Sequence, residues 1–350
     1  MLRSFFYLFI FLPLALNAQT GGQTTYNFLK IPTAARAAGM GGHLISIKDS
    51  DLNLVADNPA ILDSTLHNNV TFSYVNYIKN VNFGYVSYAR HFQDIGTFSL
   101  GMQFMGYGEF VRADETGQKI GEFRAGDYAF DVSYGYSKDS IWSLGATAKF
   151  IYSSYDIQQS FGVAMDLGVH YMSRKKFFQA GLVLNNIGYQ ITPYEGSERQ
   201  DLPFQIQVAG SYKLPKAPLR FTMLVNNAQT WDLTGEEAID GVPTINPDGQ
   251  VQTSTPANTL TLDNLFRHLV IGAEILPSDN FYIQFGYNYL RRQELNVTTS
   301  NTSLGGFSLG TGFRIKKIKF SYAITGYTRA GTSHHFTFTA NLNEFKRRRG

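Results

Sequence analysis

Ser173-Arg174-Lys175-Lys176 has the spacing S-x-x-K, and Ser278-Asp279-Asn280 follows it as S-D-N. In that order the two could form a serine acyltransfer site, in which a lysine one helical turn beyond the serine takes its hydroxyl proton. Such a site needs its serine at a helix start and a K-T-G strand beside it, and the chain contains no K-T-G. Both motifs instead fall where turns are expected between alternating segments, so the reading is a non-enzyme with no catalytic residue. Asp49, Asp51 and Asn53 imitate the opening of a calcium loop. Leu54 then stands where the loop needs glycine, and Ala60 where it needs a bidentate glutamate, so a turn or cap is expected. His334 and His335 are neighbours, and neighbours on a strand point to opposite faces and cannot share one metal. Cysteine is absent, which removes disulfides and thiolate metal sites. No metal and no cofactor is expected.

The elements that position these residues are strands. Aromatic residues make up 15% of the 350-residue chain and charged residues only 16%, against roughly 25% charged in a soluble domain. Mean hydropathy is nevertheless -0.16, and beyond the first twenty or so residues no apolar run approaches the ~18 residues of a membrane helix. The net charge of +3 is too slight to argue for nucleic acid. Arg3, an apolar run from Phe5 to Leu16 and then Asn17-Ala18-Gln19 predict a signal peptide over 1–18, cleaved after Ala18. From about Val70 onward, apolar and small or polar side chains alternate. Phe281, Ile283, Phe285, Tyr287 and Tyr289 stand against Gln284, Gly286 and Asn288; Phe307, Leu309, Thr311, Phe313 and Ile315 stand against Ser308, Gly310, Gly312 and Arg314. Such runs number about fourteen, an even count of the kind outer-membrane barrels have. Between them short turns, as at 93–96, 138–140, 173–176, 214–218 and 277–280, alternate with longer polar loops at 106–126, 188–202, 229–265 and 291–304. Short turns on one rim and long loops on the other is the layout of an outer-membrane barrel. Tyr88, Phe92, Trp142, Tyr152 and Tyr171 fit its interfacial girdles.

The expectation is therefore an all-β fold: a 14-stranded antiparallel transmembrane β-barrel over 70–343, in contact with outer-membrane lipid. Residues 19–69 lack the alternation. Ala34, Ala35, Ala37 and Ala38 surround Arg36, Gly39, Gly41 and Gly42 follow, and Asn58-Pro59-Ala60 closes the stretch. Small residues allow close backbone approach, which predicts an N-terminal plug inside the barrel. Gly101, Gly145 and Gly162 within strands mark either bulges or room for that plug. Residues 344–350 form a basic tail.

Ala37-Ala38-Gly39-Met40-Gly41-Gly42 followed by Asp57-Asn58-Pro59-Ala60 resembles the plug signature of FadL-type outer-membrane proteins, whose barrels have fourteen strands. Gly22-Gln23-Thr24-Thr25-Tyr26-Asn27-Phe28-Leu29-Lys30-Ile31-Pro32-Thr33 resembles the start of the mature PorV/PorQ group of the type IX secretion system of Bacteroidetes. The motifs that carry both resemblances lie in the first sixty residues or so. The second implies a multi-pass protein of the outer membrane that anchors a PorZ-like surface protein in the attachment complex, beside PorU and PorV. The partner surface is then expected on the longest loop, at Trp231, Leu233, Ile239, Val242 and Ile245, because long loops are commonly functional and aromatic anchors are common hot spots. The FadL resemblance implies the alternative, a transporter of hydrophobic small molecules, with an apolar pocket above the plug.

Overall fold

The computed structural model describes residues 24–78, 80–137, 139–233, 244–245, 251–252, 262–294, 304–328 and 331–345. The expected signal peptide, Ile239, Val242 and residues 346–350 lie outside these.

Alternation makes strands, and the strands are β1 (Asn69–Ile78), β2 (Val81–Phe92), β3 (Gly96–Ala113), β4 (Lys119–Ser137), β5 (Trp142–Tyr155), β6 (Gln158–Met172), β7 (Phe178–Thr192), β8 (Gln205–Lys213), β9 (Leu219–Val225), the two-residue pair β10 (Thr244–Ile245) and β11 (Val251–Gln252), then β12 (Leu269–Ser278), β13 (Phe281–Asn288), β14 (Phe307–Ile315), β15 (Ile318–Thr328) and β16 (Gly331–Asn341). All but β10 and β11 form one closed antiparallel barrel of fourteen strands. β1 closes on β16 from Asn69↔Asn341 to Asn76↔His334. Closure pairs every strand on both sides within the wall, which leaves no open sheet edge at membrane depth. No helix among the described residues is long and apolar enough to cross a membrane.

The wall is polar inside and apolar outside. Ser73, Ser99, Gln103, Thr147, Gln207, Gln284 and Thr337 point inward and are buried, while Phe72, Leu100, Phe130, Leu144, Phe150, Phe221, Phe285 and Phe338 point outward and are exposed. A water-facing barrel has the opposite arrangement, so this surface calls for a hydrocarbon environment. Aromatic clusters bound the apolar belt. Trp142 lies 4.9 Å from Tyr171 near one rim, and Tyr152 lies 4.9 Å from Phe161 near the other. From Trp142 to Tyr152 is roughly ten residues, about 33 Å of strand, which a ~40° tilt converts to a height of about 25 Å.

The rims differ. On the turn rim β2–β3, β4–β5, β6–β7, β8–β9, β12–β13 and β14–β15 are joined by short connections, and the longer connections stand on the loop rim. The 106–126 loop read from the sequence is instead a hairpin. β3 and β4 continue past the barrel wall, pairing from Glu109↔Arg124 to Ala113↔Lys119. Its side chains are exposed on both faces, so no burial imposes the hydropathy alternation that marks the other strands. Tyr289 also leaves the face assigned to it, because α3 (Tyr289–Glu294) begins there.

Candidate functional site

Residues 24–68 run through the barrel from the loop rim to the turn rim. Thr24 forms a parallel bridge with Asp201, in the β7–β8 connection, and Asn68 leads into β1. Short turns carry the segment: α1 (Ala35–Gly39), a 3-10 turn at Leu52–Ala56 capped by Asp51 through Asn53 N, and one at Pro59–Ile61 capped by Asn58 through Ala60 N. Of the calcium-like trio Asp51 is thus a cap, while Asp49 pairs with Arg36 and the Asn53 side chain reaches the wall; among the described residues no group of three metal-ligating acids and histidines occurs. Ser173 and Ser278 lie at separate turns of the turn rim; the Ser173 hydroxyl accepts a hydrogen bond from Phe178 N at 3.1 Å. His335 points inward, buried, while the ring of its neighbour His334 meets the Tyr322 hydroxyl at 2.8 Å.

Two rows of wall glycines receive the plug backbone. Gly135, Gly145 and Gly168 are cross-strand partners on β4, β5 and β6. A Cβ on Gly145 would sit 2.3 Å from the Pro59 carbonyl carbon, one on Gly168 2.2 Å from Asn58 Oδ1, and one on Gly135 2.3 Å from Leu62 O. On the other side of the lumen Gly272 pairs with Gly286. A Cβ on Gly286 would lie 2.2 Å from Gly41 N, and one on Gly39 3.0 Å from Gly310 Cα. Gly41 has φ +93, which only glycine adopts freely. Of the six plug residues singled out in the sequence, Gly39, Gly41, Asn58, Pro59 and Ala60 meet these rows, and Gly42 packs beside Val270.

An ionic latch holds the plug between the rows. Arg36 donates to both oxygens of Asp49 at 2.7 Å and through Nε to Glu274 at 2.9 Å. Arg220 on β9 lies 3.2 Å from Asp49 and 3.1 Å from Glu274. Gln284 Nε2 donates to Glu274 at 2.7 Å. Two plug charges and two wall charges thus neutralise one another in a buried setting. Nothing near Arg36 in the sequence announced Glu274, which lies 238 positions away. At the barrel seam Asn53 Nδ2 donates to Ser73 on β1 and, at 3.1 Å, to Thr337 on β16.

Above the latch, toward the loop rim, the inner wall turns apolar at Val75, Phe83, Met105, Ala129, Ile151 and Ala164. Tyr26, Phe28 and Leu29 of the chain itself pack against these residues, so the chamber where an apolar pocket was expected is a filled core cluster. Gly162 makes room for the Tyr26 ring, and the Tyr26 hydroxyl bonds that of Ser160.

A lid made of α2 (Leu262–Arg267) and α3 covers part of the loop rim. Arg291 Nη2 on α3 donates to Gly41 O at 3.2 Å, tying the lid to the plug. Of the expected docking residues, Trp231 is half-exposed and packs on His268 at 5.6 Å, and Leu233 O accepts from Arg267 at 3.3 Å. Ile245 is in the β10–β11 ladder, and Ile239 and Val242 are outside the described residues. Within the lid Asp263 accepts from the Tyr289 hydroxyl at 2.6 Å and from Arg267 at 2.7 Å. Tyr289 first and Arg267 second hold its carboxyl below the usual range. A depressed folded value makes this contact stabilising at neutral pH, and the stabilisation is lost as pH falls through that value. Protection of the α2 amides, after correction for the intrinsic pH dependence of exchange, should therefore fall as the Asp263 carboxyl protonates below the ordinary carboxylate range, and Tyr289→Phe should move the onset to higher pH. Protection that does not change with pH would exclude this contact as the lid's fastening.

No protein-family model matches the chain, and no curated sequence matches it. Among solved structures the chain is similar to the Ralstonia pickettii toluene transporter TbuX, at 12% identity and a TM-score of 0.52, over 90% of this chain and 99% of that one. It is also similar to the Pseudomonas putida toluene transporter TodX, at 12% identity and a TM-score of 0.51, over 89% of this chain and 96% of that one. At these identities the likeness is one of fold, and it extends over nearly the whole of each chain.

Proposed function

We propose that this chain is a non-enzymatic outer-membrane barrel of FadL type that takes up small hydrophobic molecules through the chamber above its plug. The observation that carries this reading is the chamber itself: a cluster of inward apolar residues in a barrel whose inner wall is otherwise largely polar. The fold likeness to toluene transporters supports it. In the structure the chamber holds Tyr26, Phe28 and Leu29, so an incoming molecule has to displace them. Tyr26 has φ 55, a left-handed conformation unfavourable for a bulky residue, which makes displacement less costly. Displacement lowers apparent affinity in proportion to the fraction of emptied chamber. Calorimetric titration of the purified full chain with toluene and with laurate tests this. The double variant Tyr26→Ala, Phe28→Ala should bind one of them at least about tenfold tighter than the unmodified protein. No binding by either protein would sink the transporter reading.

A second reading, an anchor for a PorZ-like surface protein in the type IX attachment complex, rests on the sequence resemblance. The filled chamber and the buried latch favour it, since an anchor needs no passage. A mild-detergent pull-down should then recover the PorZ-like protein with PorU and PorV, and removal of loop 229–265 should abolish this. A barrel recovered alone with an apolar ligand would contradict it.

A further inference from the structure

We propose that the β3–β4 hairpin is a docking edge that takes an extended segment of a partner polypeptide as an added strand beside β3. This does not depend on whether the lumen transports.

The geometry of the neighbouring strands carries the inference. β2 accompanies β3 only as far as Asn82↔Gly106, because β1 and β2 turn over between Ile78 and Val81. β3 continues to Ala113, about 23 Å further at 3.3 Å per residue. Among the described residues the lane that β2 occupies lower down is therefore vacant alongside residues 109–113, above Asn80, which lies beside Gly108. The wall is also low on that side, since β15 ends at Thr328 and β16 begins at Gly331, so a chain can cross the rim to reach the lane. The opposite edge of the hairpin is less accessible. β4 pairs with β5 up to Ala125↔Tyr155, and beyond that Arg112 reaches over to an ion pair with Asp156 of the β5–β6 turn.

A free strand edge offers alternate backbone N–H and C=O groups, and the ligand that satisfies such a row is another strand. Natural edges are usually guarded by charged side chains, lysine above all, or by proline; residues 109–113 contain neither lysine nor proline, and their two charges, Glu109 and Arg112, are taken up by ion pairs with Arg124 and Asp156. The hairpin is also built to stand. Phe110 and Phe123 stack at 5.2 Å across the two strands, and Asp114 Oδ1 accepts from Thr116 N and Gln118 N, both at 2.9 Å, to fix the tip. A bulge at Tyr107 and Gly108, opposite Ala125, sets its angle above the wall. Phe110 and Val111, exposed on opposite faces, call for apolar residues at the facing positions of the added strand.

The test is photo-crosslinking in intact cells that natively carry the protein, with a photoreactive phenylalanine analogue placed in the full-length chain at Glu109, Val111 or Ala113 in turn. The three positions share a face of β3, so a paired antiparallel strand gives adducts on residues two apart, in reverse order, within one segment of one protein. A variant whose hairpin is cut back by joining Gly108 to Arg124 should reach the membrane in normal amounts and no longer co-purify with the protein that those adducts identify. Adducts scattered over several proteins, adducts to a second copy of this chain, adducts to lipid alone, or no adducts at all would each overturn the proposal.

Discussion

Replacing Glu274 by glutamine is expected to loosen the plug by about 3–5 kcal/mol, the usual penalty for removing one partner of a buried ionic group. Glutamine keeps the shape and the contact with Gln284, so the change is one of charge. Arg36 would then keep Asp49 and, at 3.7 Å, Asp51, while Arg220 would keep Asp49 alone, so the cluster loses one negative charge inside the barrel. The penalty corresponds to a shift of about a hundredfold to several thousandfold toward an unseated plug. Ion conductance across planar bilayers reads this directly, and open events should become correspondingly more frequent. Adding Arg220→Gln to Glu274→Gln removes the surplus charge, so the double variant should conduct less than Glu274→Gln alone; a double-mutant cycle isolates that coupling. If Glu274→Gln conducts like the unmodified protein, the latch does not hold the plug.

Gly286→Ala and Gly145→Ala should each sharply reduce the amount of correctly assembled protein. At Gly286 the new methyl would lie 2.2 Å from Gly41 N and from the Met40 carbonyl carbon, and at Gly145 2.3 Å from the Pro59 carbonyl carbon. These are backbone atoms on both sides, so no rotamer change relieves the overlap, and the cost is at least the ~1–3 kcal/mol of an overpacked core. Gly106→Ala and Gly121→Ala are the controls, since nothing lies within 4 Å of a Cβ at either position. Heat-modifiable mobility of membrane extracts measures the folded fraction. Equal yields for Gly286→Ala and Gly121→Ala would mean that the plug is not seated against the glycine rows.

Much of this architecture was legible in the sequence, and the reason is physical. Wall strands divide lipid from lumen, so each must alternate, and Phe281, Ile283 and Phe285 against Gln284 and Gly286 could hardly be read otherwise. The β3–β4 hairpin is exposed on both faces, nothing there forces alternation, and it passed for a loop. The plug was visible as a cluster of small residues, and the strand glycines Gly145 and Gly162 carried the other half of the signal: one faces Pro59 and the other Tyr26. Gly101 is different, since the ring it accommodates is that of Tyr85 from the neighbouring strand. The latch was not legible. An arginine among alanines and a glutamate on a distant strand share no local pattern, and only the closed barrel brings them together.

The contact of Asn53 with both Ser73 and Thr337 bears on how the chain acquires its fold. Those two hydroxyls belong to the first and last wall strands, whose pairing joins residues as far apart as Asn69 and Asn341, 272 positions apart. Contacts of such separation form slowly, because the loss of chain freedom precedes any return. A plug segment already docked on β1 through Asn53 presents a second hydrogen-bond donor to the arriving β16. On this geometry the same residue can template the joining of the two ends of the sheet, with the barrel closing around an occupant already in place.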